Sequence, residues 1–182
     1  INTNVLRQGK EYHNANVTGL MVRHQTKNSA LIIEGDVRSS QLFYEDSASI
    51  GYATNLFLAR GKGNWRWFFG HEMLTDKYDI NDMGFLTNNN ELNHFGGVEY
   101  LTFQPTDWYN NLYAELFAFN GWLQNPLSYR YVGVGSNARL TFKNFLTIGG
   151  NLNTDLYEVH DYFEPRVSGR YLVRPVKTYS QL

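Results

Sequence analysis

Apolar and polar residues alternate over long stretches of this chain, and no other feature limits its possible folds so strongly. Within residues 30–40, Ile33 and Val37 occupy one set of alternate positions, whereas Glu34 and Asp36 occupy the other. A period of two residues is that of a β-strand, whose successive side chains point to opposite faces of a sheet. Segments with the 3.6-residue period of an amphipathic helix are hard to find. The sequence therefore predicts an all-β protein.

Eight or nine segments carry this alternation, clearly or with some noise. They are residues 17–25, 30–40, 50–60, 64–74, 92–103, 112–123, 129–137, 138–143 and 146–155. The last two meet at Lys143, Asn144 and Phe145, a connection short enough for a β-hairpin. No linker or low-complexity stretch divides the chain, so residues 1–182 are predicted to form one domain or a fragment of one.

The charge and cysteine content argue against several classes of function. The chain has 16 Lys and Arg residues against 17 Asp and Glu residues, so it lacks the basic excess that attracts nucleic-acid phosphates. It has no Cys, which excludes disulfides, thiolate metal sites and a cysteine nucleophile. No apolar run is long enough for a transmembrane helix, but a transmembrane β-barrel stays possible because its strands alternate.

An alternating strand fits two opposite architectures. In a soluble sandwich or lipocalin-like barrel, the apolar face points inward and the polar face meets water. In an outer-membrane barrel, the apolar face meets lipid and the polar face lines a lumen. The period of two residues does not distinguish these architectures.

Three other features favour the membrane barrel. Most segments are about 10–13 residues long, close to the roughly 9–11 residues that cross a bilayer as a tilted strand. The apolar positions include small residues such as Gly35 and Ala118, which fill a close-packed core poorly but are harmless against lipid. Aromatic residues, 16% of the chain, gather near segment ends, as an interfacial girdle requires. These residues are Trp65, Trp67, Trp108, Tyr109, Trp122, Tyr129 and Tyr131.

The predicted fold is therefore an antiparallel transmembrane β-barrel with up-and-down meander topology. The residues expected to face lipid or its interface are Leu31, Ile33, Val37, Trp65, Trp67, Trp122, Leu140, Phe142, Leu146, Ile148 and Leu152. The polar residues expected to face the lumen are Glu34, Asp36, Arg38, Arg66, Glu72, Glu115, Arg139, Asn151 and Asn153. A shift of one residue in register would place a charge in hydrocarbon, at about 2–4 kcal/mol for an arginine near the midplane.

The size of the barrel and its longest loop can also be anticipated. The lumen-facing set includes the bulky residues Phe68, Tyr113, Phe117 and Phe119, a volume that suits a barrel wider than eight strands. We therefore expect an open, curved sheet or a portion of a larger barrel. Residues 76–91, rich in Asp and Asn, are expected to form the longest excursion between strands and to lie outside the membrane, because these groups are too polar to be desolvated without partners.

Three short motifs resemble a family of Gram-negative outer-membrane proteins. They are DKYDINDMGFL at residues 76–86, YFEPR at residues 162–166 and NVLRQG at residues 4–9. In that family, a domain similar to carbohydrate-binding module family 9 precedes a large β-barrel of undetermined function. The resemblance implies an outer-membrane location and a barrel, and it carries no catalytic residues. Family chains are several times longer and no leading carbohydrate-binding domain is recognised here, so the chain is expected to be an internal portion of the barrel.

No motif in the sequence supports an enzyme or a cofactor site. The five His residues have no i, i+2 or i, i+4 spacing among themselves, and HExxH and GxSxG are absent. We therefore predict no catalytic residues, no metal and no cofactor.

The leading hypothesis is a non-enzymatic outer-membrane barrel that acts as a channel, a transporter or a scaffold for an associated surface or periplasmic domain. The predicted partners are outer-membrane lipid, other envelope proteins and, through a domain not in this chain, carbohydrate. The main alternative is a soluble lipocalin-like or β-sandwich protein that binds a small ligand. A second alternative is an outer-membrane hydrolase with carboxylates at the lumen mouth, which would need two of them roughly 5–9.5 Å apart.

Overall fold

The computed structural model of the chain describes residues 1–7, 13–167 and 169–182, and these residues are almost entirely β. Long strands form wherever the alternating segments occur. A single short 3-10 turn, Lys27–Ser29, lies among them in the described residues. The strands are β1 (Asn2–Val5), β2 (Asn14–Gln25), β3 (Ile32–Phe43), β4 (Ala48–Arg60), β5 (Trp65–Leu74), β6 (Glu91–Thr102), β7 (Tyr109–Leu123), β8 (Ser128–Phe142), β9 (Thr147–Asp155), β10 (Val159–Asp161), β11 (Leu172–Arg174) and β12 (Thr178–Gln181).

Ten of these strands form one antiparallel sheet with meander topology. Each strand from β1 to β9 pairs with the next strand along the chain, and β12 then pairs with β9. Strands β10 and β11 form a separate two-stranded hairpin between β9 and β12. Within the described residues, β1 and β12 are the two edges and do not pair with each other, so the sheet is open, as expected.

Several details differ from the sequence prediction. Residues 129–137 and 138–143 belong to one long strand, β8, rather than to two runs. Strands β1, β10, β11 and β12 have only three or four residues each, too few to show a period in the sequence. The hairpin at Lys143, Asn144 and Phe145 is confirmed, and Phe145 closes it with a positive φ of 64°.

The two ends of the sheet differ in the length of their connections. At one end, the short-turn end, the strands are joined by residues 26–31, 61–64, 103–108 and 143–146. At the other, the long-loop end, the connections include residues 75–90 and 156–177. Residues 75–90 are the longest stretch between consecutive strands in the described part of the chain, so the expectation for residues 76–91 is confirmed except that Glu91 already begins β6. Residues 156–177 are longer but contain β10 and β11. That the excursion lies outside the membrane stays a prediction.

Residues 75–90, here called the inward loop, fold back onto the sheet and form a cluster of buried apolar side chains with it. Tyr78 is only 1% exposed and packs against Ala53 of β4 and Leu74 of β5. Its backbone lies so close to β4 that a Cβ added to Gly51 would come within 2.2 Å of the Tyr78 nitrogen. The backbone N–H of Asp79 also donates to the Ser40 hydroxyl at 3.0 Å. Glycine at position 51 therefore permits the close approach of this loop.

Candidate functional site

The two faces of the sheet differ in the side chains that they carry. One of them, the apolar face, carries Leu20, Val37, Leu56, Phe69, Val98, Leu116, Val134 and Leu152, according to the pairing register. The residues predicted to face lipid that lie in strands are all on it. They are Ile33, Val37, Trp65, Trp67, Trp122, Leu140, Phe142, Ile148 and Leu152. Leu31 and Leu146 immediately precede β3 and β9, so the register assigns them to neither face.

The apolar face is largely uncovered in the described part of the chain. Leu20 is 70% exposed, Leu116 63% and Ile148 56%. Exposed apolar side chains occur on this face in every strand from β2 to β9, because directly paired residues share a face. An uncovered apolar surface of this extent is unusual in a water-soluble monomer and indicates contact with lipid or protein.

The opposite face, the polar face, collects every residue predicted to line a lumen. The register brings Asp36, Asn55, Glu72 and Asn93 into one row across β3 to β6. The predicted set, Glu34, Asp36, Arg38, Arg66, Glu72, Glu115, Arg139, Asn151 and Asn153, lies entirely on this face. That this face lines a lumen, and that the apolar face meets lipid, stay predictions.

Polar groups near the long-loop end are linked into a network. Arg38 Nε lies 2.6 Å from Asp36 Oδ1, and the Asn55 side-chain amide donates to Asp36 at 3.0 Å. One strand further on, the amide of Asn93 donates to Glu91 at 3.2 Å and to Glu72 at 3.4 Å. These contacts allow charged groups to be only partly exposed on this face.

A second polar group lies nearer the short-turn end, around Glu115. The Tyr113 hydroxyl donates to Glu115 at 2.9 Å, and the Asn137 amide donates to the same carboxylate. Glu115 is paired directly with Glu99 of β6 in the register. Arg66 uses its Nε to donate to the carbonyl of Gly63 at 3.1 Å rather than to a carboxylate.

Between the two polar groups, aromatic rings lie flat over glycines. The rings belong to Phe68, Phe95, Phe117, Phe119 and Tyr131. A Cβ on Gly70 would lie 2.1 Å from Phe95, and one on Gly135 would lie 2.3 Å from Phe117. Glycine is required at such positions because any side chain would displace the ring. The polar face therefore has an aromatic floor in its middle.

The inward loop covers the polar face at the long-loop end and is tied to a neighbouring connection. Asp82 accepts hydrogen bonds from Arg7 and from His13 Nε2, two residues of the connection between β1 and β2. Burial by itself raises the pKa of Asp82, but these contacts outweigh it and hold the pKa below its ordinary value. Residues 8–12 of that connection, including Gln8 and Gly9 of the NVLRQG motif, lie outside the described residues.

Strand β8 contains a β-bulge at the same end. Gly121 pairs with Tyr131 and Trp122 pairs with Tyr129, which leaves Arg130 as an extra residue. Arg130 and Tyr131 consequently both point to the polar face, where Arg130 pairs with Glu91 at 3.3 Å and the Tyr131 hydroxyl donates to Asn93 at 3.1 Å. Tyr131 lies on the polar face, in phase with Gly133 and Gly135, and not with the apolar-face aromatic residues of the expected girdle. The bulge instead moves Arg130 to the polar face and Tyr129 to the apolar face.

The hairpin of β10 and β11 closes over this region. Asp161 accepts from the backbone N–H groups of Phe163 and Glu164 and pairs with Arg174. Burial raises the pKa of Asp161, but the two N–H groups and the Arg174 charge outweigh burial and leave the pKa below its ordinary value. A cavity of about 660 Å³ lies between this hairpin, β8 and the inward loop. Its lining is mostly polar.

One polar cluster interrupts the apolar face and was not anticipated from the sequence. His71 Nδ1 lies 3.1 Å from His94 Nε2, and His94 Nδ1 lies 3.3 Å from the side-chain oxygen of Asn120. Trp122 Nε1 donates to the same Asn120 oxygen at 2.9 Å. Spacing along the chain could not reveal this cluster, because β-pairing brings together residues of three different strands.

Residues 1–7, 13–167 and 169–182 contain neither a membrane-spanning helix nor a metal-binding cluster. No helix among them is long and apolar enough to cross a membrane. No cluster of three or more His, Asp or Glu side chains among them could hold a metal ion.

Comparison with known proteins identifies a family but no characterised relative. No curated protein and no solved structure matches the chain. A family profile described as "Domain of unknown function" matches residues 1–182. The match covers the whole chain, and the chain therefore belongs to the DUF5916 family.

Proposed function

We propose that this chain is a portion of an outer-membrane β-barrel without enzymatic activity, whose polar face lines a lumen and whose apolar face meets lipid. One observation carries the proposal, namely that the exposure of the side chains is inverted relative to a water-soluble sheet. Leu116 on the apolar face is 63% exposed, whereas the side chains of Asp36 and Arg130 on the polar face are 16% and 13% exposed. In water this arrangement is unfavourable, but in a bilayer it is favourable.

The height of the apolar face supports the same proposal. On β7, alternate residues from Leu112 to Trp122 lie on this face. At about 3.4 Å per residue, they span about 34 Å along the strand. A strand tilted by about 40° would project this length onto the membrane normal as about 26 Å, close to the roughly 25 Å apolar band of outer-membrane barrels.

The lengths of the connections suggest an orientation. Outer-membrane barrels have short periplasmic turns and longer extracellular loops. The short-turn end would therefore face the periplasm, and the inward loop and the β10–β11 hairpin would lie on the extracellular side. This orientation also puts the Asp and Asn side chains of the inward loop outside hydrocarbon, in agreement with the resemblance to outer-membrane barrels.

The open edges favour a larger barrel. Strands β1 and β12 have four residues each, fewer than the roughly 9–11 that cross a bilayer. Unpaired backbone groups cost several kcal/mol each in hydrocarbon, so β2 and β9 would need further strands at their free edges. We therefore propose that the sheet is completed by additional strands, and that the whole acts as a channel, a transporter or a scaffold for an associated domain. Outer-membrane lipid, other envelope proteins and a carbohydrate-binding domain are its proposed partners.

Single cysteines provide a direct test, because the chain contains no Cys. Leu116→Cys on the apolar face and Asn151→Cys on the polar face would each be introduced into the full-length protein in native membranes. We expect Leu116→Cys to resist a water-soluble maleimide until detergent is added, and Asn151→Cys to react without detergent. Rapid labelling of Leu116→Cys in membranes, together with release of the protein by alkaline carbonate, would favour the soluble alternative instead.

A further inference from the structure

The cavity at the long-loop end is lined by an unusual number of arginines from separate segments. Arg130 comes from the bulge of β8, Arg166 from the turn after β10, and Arg174 from β11. Tyr131 and Phe163 contribute aromatic walls to the same cavity. Its volume of about 660 Å³ is within the roughly 300–1,000 Å³ of small-molecule sites.

Arg130 is held in a fixed position but has donors to spare. The Phe163 ring lies 4.6 Å from its guanidinium carbon, and Glu91 pairs with it from the adjacent part of the sheet. Its side chain is 13% exposed, Nη1 lies 3.3 Å from the Glu91 carboxylate, and Nε makes no hydrogen bond with any described residue. A buried guanidinium in this state is unusual, because such groups are normally hydrogen-bonded. Its planar N–H groups suit a carboxylate, which can accept two parallel hydrogen bonds.

The acidic groups around the cavity do not use up these donors. Asp161 is already occupied by two backbone N–H groups and by Arg174. Glu91 contacts Arg130 through a single nitrogen, Nη1, at 3.3 Å. Glu164 is exposed to solvent. Guanidinium donors therefore exceed the acceptors available inside the cavity.

We propose that this cavity binds a small organic carboxylate, with the carboxylate on Arg130 and Arg166 and the apolar body against Phe163 and Tyr131. The inference rests on the proposed function, since it makes the cavity a solute site at the lumen mouth, and it names the solute class. The bulge gives it a structural basis: without the extra residue in β8, only one of Arg130 and Tyr131 could point into the cavity.

Binding is tested with purified full-length protein in detergent by isothermal titration calorimetry, with benzoate as the probe. Inorganic phosphate has the charge without the ring, and benzylamine has the ring with the opposite charge. We expect benzoate to bind more tightly than either one. Equal binding of benzylamine would overturn the proposal, and stronger binding of phosphate would replace the carboxylate with a phosphate ligand.

Substitutions locate the site. Arg130→Gln is expected to weaken benzoate binding about ten- to one-hundred-fold, the usual value of a charge-assisted hydrogen bond to a buried group. Arg166 is exposed, so Arg166→Gln should leave the fold intact. It is expected to weaken benzoate binding by a smaller factor than Arg130→Gln. Arg139→Gln, on the same face in the opposite half of β8, is the matched control and should leave binding unchanged. Unchanged binding in both Arg130→Gln and Arg166→Gln would overturn the proposal, as would an equal loss in Arg139→Gln.

The two proposals can fail separately. A protein that resists carbonate extraction but shows no arginine-dependent benzoate binding would overturn the carboxylate site and leave the barrel standing. A protein that is released by carbonate but binds benzoate through Arg130 would overturn the membrane location and leave the site standing.

Discussion

The two faces of this sheet come from the same strands, but their side chains differ in exposure and in contacts. On the apolar face, side chains such as Leu116 and Ile148 are more than half exposed. On the polar face, Asp36, Glu91 and Arg130 are each less than a fifth exposed and are linked to partners. These charged groups are thus less exposed than the apolar side chains of the opposite face, and the polar face is packed by hydrogen bonds, by rings over glycines and by the inward loop.

The largest effect on this comparison is expected from the inward loop. Tyr78→Ala removes the largest fully buried side chain of the polar face, and we expect the free energy of unfolding to fall by about 3–5 kcal/mol. Tyr78→Phe is the control, because it keeps the buried ring and removes only the hydroxyl, so it should cost much less stability than Tyr78→Ala. Both variants are measured by urea unfolding in detergent. Equal stability of Tyr78→Ala and wild type would mean that the inward loop does not stabilise the polar face.

A charge on the apolar face should have the next largest effect. Leu116→Arg is expected to make folding into lipid vesicles less favourable by about 2–4 kcal/mol, the cost of an arginine near the bilayer midplane. Leu116→Val keeps an apolar side chain and should fold like wild type. If the face were in contact with water, an arginine at this exposed position would change stability by no more than about 0.5 kcal/mol. That outcome would remove the main difference between the faces.

Glycines on the two faces should respond differently to an added methyl group. Gly70→Ala would push the Cβ into the Phe95 ring, and we expect a destabilisation of about 1–3 kcal/mol. Gly35→Ala, on the apolar face, meets its nearest atom at 3.2 Å and should stay within about 1 kcal/mol of wild type. Combining Gly70→Ala with Phe95→Ala should recover part of the loss. A loss of the same size at both glycines would argue against the aromatic floor as a special feature.

The smallest effect is expected from pH, through the contacts of Asp82 with Arg7 and His13 that hold the inward loop. Because the folded pKa of Asp82 is lowered, its stabilising contribution is complete above the ordinary aspartate pKa of about 3.9 and is lost as pH falls through the lowered value. A spin label at Phe85→Cys should therefore stay immobile from pH 7 to about pH 4 and become mobile below it. Adding Asp82→Asn should make the label mobile throughout this range. A transition that begins above pH 5 would contradict the assignment to Asp82.

Much of the fold could be predicted because alternation is clean where strands are regular. Ile33 and Glu34 in β3, and Leu140 and Arg139 in β8, lie on the faces that the sequence indicates. The candidate site could not be predicted in the same way. The position of Arg130 depends on a bulge, which inserts one residue and breaks the period, and nothing in the local sequence marks it.

Contacts between distant residues were likewise hidden. His71 and His94 face each other only because β5 and β6, which the inward loop connects, pair in one particular register. The β10–β11 hairpin has three residues in each strand, so its alternation is too short to recognise. A period along the chain thus predicts which face a residue occupies, but not which residues meet across strands.

The meander topology also has a consequence for the order in which the sheet assembles. Every strand from β2 to β9 finds its partner immediately before it in the chain, so each hairpin can close before the next one forms. Strand β12 is different, because residues 156–177 must be bridged before it reaches β9. The entropy penalty of the longer closure is modest, since each doubling of a loop adds only about 0.6 kcal/mol. The rate is affected more, because non-local pairing slows folding. We therefore expect β12 to dock last, after β10 and β11 have paired.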